Sequence, residues 1–300
     1  MKFKDKDIKV IVCDLDGTLL REDKTISKDS EEFLIALQQE GYTLVLASGR
    51  GHDMIEPYAK QLHMEKYNGY IVSYNGQQIE ELASNTMHQN DFISLEMMDK
   101  IFTFAKNKSL QFIVEGDKKY YIYTPKRLFV ISLYMKYVKI RQKQLQKKNK
   151  NHKMYNKFMA SSDVEMLVLK SINQIKKPMP KIGLSQTSKV LKKNALELSE
   201  LYSKDIEVLM VSPNWLDIVP KGVNKALGLK WISDRLNISL SQFIAFGDSE
   251  NDVEMLQEVG VGIAMNNAME NVKKYASYTS EFNNEENGVI IELKSALNKA

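Results

Sequence analysis

Lys9-Val10-Ile11-Val12-Cys13 runs straight into Asp14-Leu15-Asp16-Gly17-Thr18, and these ten residues decide how the rest of the chain is read. A short, unbroken apolar run suits a parallel strand covered on both faces. The two carboxylates after it sit where open α/β sheets place their ligands, at the C-terminal end of a strand. Acids this close repel each other unless a cation or a shared proton relieves them. Gly17 permits a sharp turn and Thr18 adds a hydroxyl. Read alone, the run is also compatible with a plain Asp-Gly turn.

Similar apolar runs recur at residues 43–47, 70–73, 243–246 and 259–263. Between the first two strands lies a helix signal. Ser30 is placed to cap it, Glu31 and Glu32 favour its N-terminal dipole, Phe33, Leu34 and Leu37 form an apolar stripe, and Gly41 ends it. Strand, helix and strand in this order make a βαβ unit, so the flanks of the chain read as α/β. The middle third differs. Residues 111–115 and 120–123, joined by Gly116-Asp117, read as an antiparallel hairpin. Thr124-Pro125 starts a helix with Leu128, Ile131, Met135 and Val138 on one face. A further helix is expected over 186–202, then a strand pair at 206–211 and 215–219. Two domains follow: an α/β core from residues 1–82 and 213–300, and an inserted α+β domain from 83–212.

Charge divides the chain in the same way. Residues 83–212 carry 24 lysines and arginines against 11 carboxylates, a net of +13, while both flanks are acidic. From 118 to 162 there are 13 basic residues and no carboxylate. The biased run 139–157 reads as a solvated helix end or loop. Of the whole chain, 43% is hydrophobic and 27% charged, which suits a globular protein and argues against disorder. The single cysteine, Cys13, excludes an intramolecular disulfide and any multi-cysteine zinc site, and it reads as a small strand residue. His52, His63, His88 and His152 never fall at i, i+3 or i+4 spacing, so no local histidine metal motif exists. No apolar run is long enough to span a bilayer and no leader pattern opens the chain, so a cytoplasmic setting is expected.

Three more runs carry chemistry. Gly247-Asp248-Ser249-Glu250-Asn251-Asp252 is a second acidic cluster after a buried strand. With the first it makes an oxygen-rich pocket suited to a hard cation such as Mg²⁺, Glu250 reading as a solvated turn residue. Ser48-Gly49-Arg50 offers a hydroxyl and flexible backbone for a phosphate oxygen, or a helix cap. Lys221 and Lys225 stand near the return into the core, and either could meet a phosphate.

In this order the runs resemble the haloacid dehalogenase superfamily of phosphohydrolases. Asp14 to Thr18 resembles its nucleophile motif, Ser48 its hydroxyl motif, Lys225 its lysine motif and Gly247 to Asp252 its acidic motif. Ser48-Gly49-Arg50, Ser73-Tyr74-Asn75-Gly76, the insertion point and Glu286-Asn287-Gly288-Val289 resemble the Cof-type branch with a type IIB cap. Ala226 departs from the glycine usual after the lysine. The resemblance implies a Rossmann-like, doubly wound parallel-sheet core carrying an α+β cap that selects substrate. It implies Asp14 as nucleophile, Asp16 as general acid and base, and Mg²⁺ on Asp14, the Asp16 carbonyl and Asp248. Ser48, Gly49, Lys225 and Asn251 would bind the phosphate, with Asp252 supporting the site by positioning Lys225 or metal-bound water. The expected activity is hydrolysis of small phosphorylated metabolites. Sugar phosphomutase shares the nucleophile and stays open. Nucleic-acid binding by the basic cap is the less favoured alternative, and no membrane partner is expected. Substrate identity and oligomeric state are not written in the sequence.

Overall fold

The computed structural model describes residues 7–116, 119–126 and 165–297. The chain opens with β1 (Val10–Cys13), α1 (Lys28–Gln39), β2 (Thr43–Ala47), α2 (His52–Gln61) and β3 (Tyr70–Ser73). A hairpin of β4 (Gln78–Glu81) and β5 (Thr86–Gln89) follows. The second unit holds α3 (Leu95–Asn107), β6 (Gln111–Gly116), β7 (Lys119–Tyr123) and β8 (Glu165–Val168). It continues with β9 (Lys181–Ser185), α4 (Ser188–Leu201), β10 (Ile206–Ser212) and β11 (Trp215–Pro220). The chain then returns through α5 (Lys225–Leu236), β12 (Phe243–Gly247), α6 (Val253–Glu258) and β13 (Val261–Ala264). It closes with α7 (Glu270–Lys273), β14 (Tyr278–Thr279) and α8 (Gly288–Leu297).

The first sheet has the order β14-β13-β12-β1-β2-β3-β4-β5, parallel except for the two strands of the β4–β5 hairpin. β1 lies between β12 and β2, with Val12 opposite both Ala245 and Val45. Its side chains alternate between two cores. Ile11 and Cys13 pack with Leu34, Ile55 and Leu293 from α1, α2 and α8. Val10 and Val12 pack with Leu229, Ile232 and Met255 from α5 and α6. Such helix-covered faces explain the unbroken apolar runs, each large buried aliphatic contributing roughly 1.5–3 kcal/mol. The α/β, Rossmann-like reading holds. The α1 cap differs by one turn: Ser27, not Ser30, is the cap, and its hydroxyl accepts the Ser30 N–H.

The second sheet has the order β10-β11-β9-β6-β7-β8 and is antiparallel except between β7 and β8. Phe112, Val114, Ile182, Leu184, Leu216 and Ile218 turn to α3 and α4, forming the cap's own core with Ile101, Phe102, Leu191 and Leu198. The alternate residues, including Glu115, Lys181, Trp215 and Asp217, take the other face.

Sheet pairing moves the expected boundaries of 82 and 213. Residues 86–89 still belong to the first sheet, and 215–220 belong to the second. The charge change that suggested a break at 212 cuts through the β10–β11 hairpin, because charge reports the solvated faces while backbone pairing defines the sheet. The helix face at Leu128, Ile131, Met135 and Val138 and the run 139–157 lie outside the described residues.

Candidate active site

The C-terminal ends of β1, β2 and β12, neighbours in the sheet, bring together the three motifs that follow them. The Asp14 N–H still donates to Phe246 O at 3.1 Å, so the first acid ends the ladder. The chain turns at Gly17, whose φ of +82° lies in the left-handed region. A Cβ there would lie 2.4 Å from Asp248 Oδ2, so glycine is also needed for room. Thr18 Oγ1 donates to Asp248 Oδ1 at 3.2 Å, joining the two acidic loops.

Lys225 is the first residue of α5, whose cap, Asn224, accepts the Leu227 N–H at 2.9 Å. Its fully buried ammonium lies 2.6 Å from both Asp14 Oδ1 and Asp252 Oδ1. Burial works against this charge, but Asp14 and Asp252 outweigh it and hold the ammonium above its ordinary value. Ala226 is buried beside it without disturbing the helix start. Lys221, the rival, is about half exposed and pairs with Glu207 of β10 at 2.9 Å. The structure brings Lys225, and not Lys221, to the acids.

Oxygens of Asp14, Asp248 and Asp252 lie within 4.8 Å of one another. Among the described residues, three carboxylates cluster around one ammonium, an excess of negative charge in a largely buried place. The cost shows in the acids. Burial pushes Asp14 up to about 7, Asp252 and Asp16 adding to the rise and Lys225 opposing it. Burial, then Asp14 and Asp252, raise Asp248 well above the carboxylate range. An all-oxygen set with this excess fits a hard divalent cation. Among the described residues, Asp14 and Asp248 each keep one oxygen, Oδ2, for an ion, their Oδ1 atoms accepting from Lys225 and Thr18. Asp252 is fully committed: Oδ1 takes Lys225 and Oδ2 takes the N–H groups of Asp248 and Ser249, each at 3.0 Å.

Asp16 points elsewhere. Arg50 grips it with two bonds, Nε to Oδ2 at 2.6 Å and Nη2 to Oδ1 at 2.7 Å, and Lys24 adds a third at 2.7 Å. Burial would raise this carboxyl, but the Arg50 and Lys24 bonds and charges win and bring it down to about 2. Ser48 is buried at the end of β2, its hydroxyl accepting the Arg50 N–H at 3.3 Å and its carbonyl the Asn75 N–H at 3.0 Å. A Cβ on Gly49 would press on Asn75 Oδ1 and Asp217 Oδ2, at 3.0 and 3.1 Å.

Asn251 Nδ2 donates to Asn75 Oδ1 at 2.8 Å, and its own Oδ1 accepts from Ser249 at 2.6 Å. Asn75 Nδ2 in turn donates to Asp217 Oδ2 at 3.0 Å, crossing from core to cap. The indole N–H of Trp215 donates to Asp217 Oδ1 at 2.7 Å. Sequence reading gave no role to Lys24, Asn75 or Asp217, and noted Arg50 only within its run. Asp217 had one usable signal: it is an acid inside the apolar run Trp215-Leu216-Asp217-Ile218-Val219, and an acid buried there needs a partner. Cys13 is inert, burial and then Asp14 pushing its thiol up. Among the described residues no helix is long and apolar enough to cross a membrane.

A sequence profile of haloacid dehalogenase-like hydrolases matches residues 11–293, so the chain belongs to that family. Within it the chain is a phosphatase of the Cof type. It is 29% identical to a Mycoplasma genitalium protein with a provisional phosphatase name, over 97% of this chain and 99% of that one. It is 25% identical, over 95% and 96% of the two chains, to the 5-amino-6-(5-phospho-D-ribitylamino)uracil phosphatase YitU of Bacillus subtilis. A haloacid dehalogenase-like hydrolase from Bacteroides thetaiotaomicron superposes with a TM-score of 0.73 at 28% identity, covering 96% and 99% of the chains. A subclass IIB sugar phosphatase, BT4131, shares the fold at a TM-score of 0.73, with 20% identity and coverage of 96% and 98%.

Proposed function

We propose that this phosphatase hydrolyses small phosphorylated metabolites through an aspartyl-phosphate on Asp14, with Mg²⁺ as its cation. The observation that carries the reading is Asp14 itself, at the end of the central strand with Lys225 on one oxygen and Asp248 nearby. Asp14, Asp248 and the Asp16 backbone carbonyl would hold the ion, which when bound neutralises charge on the phosphoryl oxygens. Ser48, the Gly49 backbone, Lys225 and Asn251 would hold the phosphate, with Asp252 fixing Lys225 in place.

A carboxylate oxygen of Asp14 attacks phosphorus as the bond to the leaving oxygen breaks, and Asp16 gives that oxygen its proton. Water then attacks phosphorus of the intermediate while Asp16 takes the proton, releasing inorganic phosphate and the Asp14 carboxylate. The Arg50 and Lys24 bonds hold Asp16 in the ionised form that the second step requires. For the first step it must part from them and carry a proton.

The second sheet, with α3 and α4, acts as the cap that selects substrate. Sugar phosphates, nucleotides and phosphorylated cofactors all suit a basic cap over an acidic core. YitU of B. subtilis, named for a phosphoribityl uracil, makes cofactor precursors the first compounds to test. The test is a screen of phosphomonoesters with purified protein, with EDTA and with Mg²⁺ restored. We expect hydrolysis that EDTA abolishes and Mg²⁺ restores, and label from a ³²P-phosphoryl donor trapped on Asp14 by acid quench. Turnover that persists in EDTA, or label elsewhere, would overturn it.

A further inference from the structure

Glu250, expected as a solvated turn residue, reaches out of the acidic loop and holds the cap. Its Oε2 accepts the backbone N–H of Met210 at 2.7 Å, and its Oε1 accepts from Asn271 of the core at 2.9 Å. Met210 lies on β10, the outer strand of the cap sheet among the described residues, where backbone groups lack a strand partner on one side. The next residue, Asn251, reaches β11 through Asn75 and Asp217. Asp217 and Lys181 are buried and paired at 3.2 Å, so this second tie carries a charge that needs its partners in place. Adjacent residues of one loop therefore grip both strands of one hairpin.

Both ends of that connection carry chemistry. The loop places Asp248 and, through Asp252, Lys225. The hairpin ends at Pro220 and leads, five residues later, into the start of α5 at Lys225. We infer that Glu250 is a positioning residue: it seats the β10–β11 hairpin on the acidic loop, so that cap position and the geometry around Asp248 and Lys225 change together. This rests on the phosphatase reading for its effect on rate, but not for the coupling. Such coupling must act in both directions, since each side biases the same arrangement.

Hydrogen exchange on the full-length protein reads the coupling directly, without a ligand. In Glu250→Ala, peptides over 206–212 and over 246–253 should lose protection together, while the cap peptide over 111–116 stays protected. Asp217→Asn, which leaves either Asn75 Nδ2 or the Trp215 indole N–H facing an amide donor, should reproduce the pattern from the cap side. Turnover of a phosphorylated metabolite should fall roughly tenfold in Glu250→Ala. Glu250→Gln, which keeps an acceptor for the Met210 N–H, should recover most of it. Loss of protection confined to 206–212, or an unchanged rate when both peptides loosen, would overturn the proposal. A wild type inactive on every phosphomonoester would sink the phosphatase reading instead, and the exchange pattern would still judge the coupling.

Discussion

The two sheets place their polar residues in opposite ways. In the core, β1, β2, β3 and β12 are buried along almost their whole length, and the reactive groups appear only past their last residues. In the cap, polar and apolar residues alternate within the strands: Glu115 beside Val114, Lys181 beside Ile182, Asp217 beside Leu216 and Ile218. A sheet covered on both faces has nowhere but its edges for chemistry. A sheet covered on one face can present a wall of side chains, and this wall faces the core. On the proposed function, reaction and selection are divided by architecture. Core changes should damage every substrate alike, whereas changes on the cap wall should alter substrate ranking.

Asp14→Asn is the hardest test of the core half. It removes the proposed nucleophile at almost constant volume, so turnover should fall by more than about 10⁴-fold on all substrates with the circular dichroism spectrum unchanged. A rate within tenfold of wild type would exclude Asp14 as the nucleophile. Asp16→Asn should cost about 10²–10⁴-fold, the range for general acid–base help. Single-turnover transfer from an activated aryl phosphate should suffer least, because its leaving group needs little protonation. Equal losses for good and poor leaving groups would count against the acid role.

Lys225→Ala should lower kcat about 10²–10³-fold and raise KM. It should also lower Tm, because Asp14 and Asp252 lose the ammonium 2.6 Å away from each. Lys221→Ala, at an exposed lysine paired with Glu207 away from the acids, should leave kcat and KM near wild type. Steady-state kinetics of the two variants side by side decide which lysine serves the site.

The smallest effect belongs to the cap wall. Burial raises the Glu115 carboxyl, with Lys181, Tyr120 and the Gly51 N–H opposing and Asp217 adding to the rise. A raised carboxyl binds its proton longer in the folded state, so stability falls as pH rises above the ordinary carboxylate range. Glu115→Gln keeps an acceptor for the Gly51 N–H and removes the charge. Its Tm should exceed that of wild type by roughly 2 °C at pH 8 and converge with it near pH 4. A lower Tm at pH 8 would mean that Lys181 depends on this charge more than burial opposes it.

What the sequence determined by itself is whatever the local order of residues controls. Unbroken apolar runs marked the buried parallel strands, acids after them marked the strand ends, and Gly17 marked the turn, because each depends on a few consecutive residues. Asp14, Asp248 and Lys225 were legible for that reason, the last only beside a rival. The tertiary structure decided the pairings between distant segments. Lys225 meets Asp14 across 211 positions, Asn75 meets Asp217 across 142, and Arg50 meets Asp16 across 34. The boundary residues, the partner of Asp16 and the reach of Glu250 into the cap belong to the same class. Backbone pairing and side-chain length in three dimensions select such partners, and sequence spacing carries no record of that choice.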